Sequence, residues 1–125
     1  MINQIKWLED RPKLAGNLAL IYAGVIFLIS QTPTIPAPPG PGYMMYILHF
    51  LEYAGFGALL LIAVKSNKYE GSAITLAIVI GVFYGISDEI HQHFVATRCM
   101  DALDAVFDSL GSVAGALSAN FIRRI

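Results

Sequence analysis

The sequence predicts an all-α protein, a four-helix transmembrane bundle with both termini on the cytoplasmic side. Three observations lead there. The chain has 125 residues, of which 56% are apolar and only 14% charged, against about 25% charge in soluble domains, and its mean hydropathy is +0.61. Four apolar runs approach the length of a membrane span. Basic residues gather in the three segments that an even number of crossings puts on one side.

The first run, about 14–30, is at the short end of the ~20 residues that cross a ~30 Å hydrocarbon layer. Glu9 and Asp10 stand among the basic residues before it, and no small-residue cleavage signal follows. It reads as an uncleaved first span rather than a signal peptide. The second run is about 43–64. The third begins near Gly71 and continues as helix to Phe94, with a re-entrant loop over 87–100 as the alternative. The fourth is about 101–122. Each should be helical, because backbone groups in lipid must be satisfied within their own segment. Residues 1–125 are read as a single domain.

Lys6, Arg11 and Lys13 precede the first run, Lys65 and Lys68 separate the second from the third, and Arg123 and Arg124 follow the fourth. Under the positive-inside rule these segments are cytoplasmic. Arg98 is the exception. Between the first two runs, "QTPTIPAPPGPGY" carries five prolines and no charge, which predicts a stiff extended strap on the outer side. A net charge of −1 excludes a nucleic-acid surface. The single cysteine, Cys99, excludes an internal disulfide and is too little for a zinc–thiolate site.

The ionisable residues fall in the outer half of this topology. In the fourth run Asp101, Asp104, Asp108, Gly111 and Gly115 share one helical stripe, about 80° wide at 3.6 residues per turn. The glycines let a second helix approach, so the aspartates face protein. In the second run His49, Glu52, Tyr53 and Phe56 share a face. The third ends "YGISDEIHQHF", with Asp88, His91 and Gln92 on one side and Glu89 beside Gly81 and Gly85. Six of nine carboxylates and one arginine are thus expected together. Such an excess repels by several kcal/mol in low dielectric. It needs protons, charged histidines, a bound cation or water to balance it.

"HFLEY" followed by "SDEIHQHFVATRCMDALDAVFDSLGSVAGAL" resembles the VanZ-like family of small membrane proteins. His49 and Tyr53 supply one element of its pattern, and Glu89 and Gln92 the next. Arg98, Asp101, Asp104 and Asp108 supply the third, with Gly111 and Gly115 behind them. Met45 and Tyr46 stand where the family often has Asp-Lys. Asp108 stands where asparagine is common, which makes this site more acidic. The resemblance implies a cell-envelope protein at the plasma membrane, and the family's name-giving member is linked to resistance to the glycopeptide teicoplanin.

Four readings follow. In an enzyme or ligand site, Glu89 is the general base or a metal ligand, His49 or His91 a proton shuttle, Asp104 a further catalytic carboxylate, and Arg98 a clamp for phosphate or carboxylate. Gln92, Asp101, Tyr53, Asp108 and His91 line the substrate position. The ligand would be an anionic or glycan-bearing envelope lipid or a glycopeptide-type molecule. In a metal site, carboxylates with histidine would take Mg²⁺, Mn²⁺ or Ca²⁺ rather than a structural zinc. His91 and His93 lie about 200° apart on a helix and cannot chelate together, and no set of metal ligands is assigned. In a structural network, Arg98 bridges two aspartates and His49 pairs with Glu89 or Glu52. A proton path through Glu52 and Asp108 is the fourth. The partner common to all is the lipid bilayer; the oligomeric state is left open.

Overall fold

The computed structural model describes residues 1–33, 40–67 and 72–125. Among them are five α-helices: α1 (Ile2–Glu9), α2 (Pro12–Gln31), α3 (Met44–Ser66), α4 (Ala73–His93) and α5 (Ala102–Arg124). The last four are each long and apolar enough to cross a membrane. The all-helical expectation and the four expected spans are met; the short α1 is a fifth helix that was not expected. α1 escaped because a search for spans reads sustained hydropathy. Its eight residues, INQIKWLE, instead mix polar and apolar side chains and bury none completely. Ile5 and Leu8 rest on the core, and Pro12 opens α2 as a separate helix.

Arg123 Nε donates to Glu9 Oε1 at 2.7 Å, so the two ends of the chain meet at one end of the bundle. Arg11 lies 4.0 Å above the Trp7 ring there and donates through Nη1 to the Trp7 carbonyl at 2.8 Å.

The most extensive helix pairing is α3 with α5, and small residues are the reason. A Cβ at Gly111 would fall on the Phe50 carbonyl, one at Gly115 on the Ala54 carbonyl, and one at Gly57 on the Ser112 carbonyl. Without lipid-excluded hydrophobic driving force, close backbone approach is what holds membrane helices together. α4 joins through Gly81 and Gly85, where a Cβ would come 2.7 Å from Ser112 Oγ and 2.9 Å from Asp108 Cβ. α2 is more peripheral. It is tied on by Tyr22, whose hydroxyl donates to the Glu52 carbonyl at 2.8 Å, and by Tyr84, whose hydroxyl donates to the Ala23 carbonyl at 2.6 Å. Leu20, Leu28, Phe83 and Phe121 are among the large apolar side chains left exposed, as helices facing lipid require.

The third run is helical through His93, so the re-entrant loop is not what forms over 87–93. The chain then turns through Phe94–Met100, with Thr97 at φ +66°. The start of that run at Gly71, and residues 34–39 of the proline-rich strap, lie outside the described residues.

Candidate functional site

Antiparallel packing brings the first half of α3, the last turns of α4 and the first turns of α5 to the end of the bundle opposite the termini. His49 is at the centre. Asp104 and Asp108 are one turn apart on α5, and each meets a different ring nitrogen. His49 Nδ1 lies 2.8 Å from Asp108 Oδ1, and Nε2 lies 3.6 Å from Asp104 Oδ2. Asp108 is fully buried.

Glu89 is buried beside them. Its Oε2 accepts from the Asp101 backbone N–H at 3.1 Å and its Oε1 from Gln92 Nε2 at 3.3 Å. The same Gln92 nitrogen lies 3.4 Å from Asp88 Oδ2, one helical turn away. Gln92 Oε1 accepts from Arg98 Nη2 at 3.0 Å. Asp101 caps α5, accepting from the Leu103 N–H at 2.8 Å, as Asp does at a helix start. Its other oxygen accepts from the Tyr46 hydroxyl at 3.2 Å, and the Tyr46 ring stacks on Phe107. One donor atom each from His49, Glu89 and Asp108 fall within 4.8 Å of one another.

A cavity of about 600 Å³ opens beside this network, lined by the polar His49, Glu52, Asp88, Gln92 and Arg98 together with the apolar Ile29, Leu48 and Leu51. A larger cleft of about 790 Å³ lies nearer the termini, but Leu60, Leu76 and Ile80 line it and no charged side chain does. It has the space without the chemistry.

Nine of the eleven residues expected at the site or beside it (His49, Glu52, Asp88, Glu89, Gln92, Arg98, Asp101, Asp104 and Asp108) belong to the network or the cavity wall. The other two do not. His91 turns to α2, its ring 4.7 Å from that of Phe27. Tyr53 lies deeper, fully buried, edge-on to Phe56 at 6.0 Å, with its hydroxyl unpartnered. Two expected pairings are also corrected. Arg98 bridges no aspartates: among the described residues no carboxylate lies within 4.0 Å of it. His49 pairs with Asp108 and Asp104 instead of Glu89 or Glu52, because α5 packs against α3 more closely than α4 does.

Sequence reasoning passed over Tyr46 and Ser112. Tyr46 precedes His49 by three residues, hence on the same face, which was the available signal. Ser112 sits between Gly111 and Val113 on α5 and is fully buried, with its Oγ unpartnered.

A family model described as VanZ/LLP1 matches residues 4–123. Among curated proteins and among solved structures, none matches the chain.

Proposed function

The chain belongs to the VanZ/LLP1 family, and from that premise we propose that it is a multi-pass plasma-membrane protein that binds an anionic or glycan-bearing envelope component at the polar end of its bundle. The observation that carries this is Arg98. It is the one basic residue outside the segments assigned to the cytoplasm. Arg98 lines the 600 Å³ cavity, and among the described residues its guanidinium is engaged only by an amide oxygen. Such a planar fork suits phosphate or carboxylate. The apolar Ile29, Leu48 and Leu51 in the same lining suit an acyl or isoprenoid chain.

In this reading Gln92 orients Arg98, and Asp101 and Asp108 shape the anion position. Glu89 acts as general base, with His49 as the proton shuttle between Asp104 and Asp108. The basic residues near α1 and at the ends of α3 and α5 support termini in the cytoplasm and a site at the outer face. The family's name links it to glycopeptide resistance, which fits a ligand of the envelope.

Native mass spectrometry with an added isoprenoid phosphate tests it. Arg98→Gln should reduce the adduct at least tenfold, and Arg98→Lys should restore little because ammonium lacks the bidentate geometry. Equal adducts on all three proteins would sink the proposal.

A second reading has its own support. The bonds from His49 to Asp108, Glu89 to Asp101 and Tyr46 to Asp101 each join two helices, as in a non-catalytic scaffold. Glu89→Gln separates the two readings. Parallel loss of stability and of glycopeptide tolerance marks architecture, whereas lost tolerance with stability kept or raised marks a site.

A further inference from the structure

His49, Glu89 and Asp108 come from three different helices, α3, α4 and α5, yet one donor atom of each lies within 4.8 Å of the other two. Asp108 is fully buried. Its Oδ1 faces His49, but its Oδ2 has no hydrogen-bond partner, and neither has Oδ1 of Asp104. Buried acceptors without donors are rare and unfavourable. Nor is there a permanent cation to balance them: among the described residues no lysine or arginine lies within 4.0 Å of Glu52, Asp88, Glu89, Asp101, Asp104 or Asp108.

The geometry points to a mononuclear divalent-cation site formed by His49, Glu89 and Asp108, of the class that holds Zn²⁺ or Mn²⁺. The larger set of acids in the sequence points to Mg²⁺, Mn²⁺ or Ca²⁺, but one imidazole with two carboxylates suits Zn²⁺ or Mn²⁺ better than Mg²⁺ or Ca²⁺, which favour all-oxygen sets. Donors bound at about 2.0–2.2 Å to one ion lie roughly 3–3.5 Å apart, so side-chain shifts of about 1 Å close the trio around it. The His49 Nδ1 to Asp108 Oδ1 edge is already 2.8 Å. The ion enters that edge in place of a proton, so in the metal-bound protein His49 and Glu89 are ligands and give up the shuttle and base roles assigned above. Asp104 then holds Nε2 from the far side, the carboxylate–histidine–metal arrangement that fixes an imidazole for coordination. Three protein donors leave a coordination position open. His49 also borders the Arg98 cavity, so the ion would sit beside the space assigned above to the anion.

The site goes beyond the ligand reading, since an ion needs no envelope component to bind. The test uses the full chain, purified without a histidine tag, stripped with chelator, and given Mn²⁺ or Zn²⁺ alone. Elemental analysis should find about one ion per chain, and Glu89→Gln and Asp108→Asn should lower affinity at least a hundredfold. Asp104→Asn, an outer partner, should weaken it about 10- to 100-fold, while Glu9→Gln at the other end changes nothing. Should the site variants fail to fold, pulsed electron paramagnetic resonance of Mn²⁺ on the unaltered protein decides: one imidazole nitrogen must couple to the ion. Substoichiometric metal, retention by folded Glu89→Gln and Asp108→Asn, or bound Mn²⁺ without nitrogen coupling overturns the proposal. A metal-free chain leaves the Arg98 experiment standing, and loss of the Arg98 effect leaves this one standing.

Discussion

Gly115→Ala and Gly24→Ala make the same chemical change in two transmembrane helices, and the structure predicts opposite signs. At Gly24 an added Cβ meets no atom within 4 Å. There the substitution gains only helix propensity, up to about 1 kcal/mol. At Gly115 the Cβ would fall on the Ala54 carbonyl group, 2.7 Å from its carbon and 2.9 Å from Ala54 Cα. Carbon contacts settle at about 3.5–4.0 Å, and backbone cannot rotate aside. α5 must therefore retreat from α3 by about 1 Å. Overpacking of this kind costs about 1–3 kcal/mol. The same retreat stretches the 2.8 Å His49–Asp108 contact beyond hydrogen-bond range, removing a further ~0.6 kcal/mol typical of intramembrane polar pairs. Propensity offsets only part, leaving a net loss of roughly 1–3 kcal/mol. Equilibrium unfolding in mixed micelles reads it, with each 1.4 kcal/mol a tenfold shift in the folded ratio. If Gly115→Ala moves the midpoint in the same direction as Gly24→Ala, the α3–α5 packing argument is wrong.

Three further outcomes follow from other parts of the molecule. A double-mutant cycle of His49→Ala and Asp108→Ala should give a coupling of about 0.6–1.7 kcal/mol, and strictly additive effects would mean the 2.8 Å contact is energetically idle. Thr97→Gly should raise stability by about 0.5–1 kcal/mol, since a β-branched residue at φ +66° is strained; a loss would show that its hydroxyl bond to the Pro33 carbonyl outweighs the strain. Cys99 is exposed and is the only cysteine in the sequence, so a membrane-impermeant maleimide should label intact cells. Labelling only after the cells are opened would reverse the proposed orientation.

Periodicity made half of this arrangement legible in advance. The stripe of Asp104, Asp108, Gly111 and Gly115 faces α3, because side chains at three- and four-residue spacing share a helix face whatever the partner. Which residue each would meet was not legible. Pairing depends on the rotation and register of two helices, and a slide of one turn would have put His49 beside other acids. Asp101 shows a second limit. Read as a member of the stripe, it is instead the cap where α5 starts, so its carboxylate serves the backbone and Tyr46. Tyr53 shows a third. The face it shares with His49 descends into the bundle, and four residues are enough to carry a side chain from the polar end into an aromatic core.

The division of labour along α5 bears on why the acids are there at all. Association of α3 with α5 is already explained by Gly57, Gly111 and Gly115, which let backbone meet backbone. Polar side chains are not needed to bring these helices together, and intramembrane pairs contribute only about 0.6 kcal/mol each on average. A scaffold would be served as well by serine or asparagine, which carry no charge to bury. Instead, α5 places Asp104 and Asp108 on either side of one imidazole, and α4 adds a buried Glu89. Arg98, the nearest basic residue in sequence, is held on Gln92 rather than on any of them. Keeping the arginine off the acids forgoes the simplest neutralisation open to the fold. That arrangement makes sense if each charge is reserved for something that arrives: an anion for the arginine, a cation for the acids.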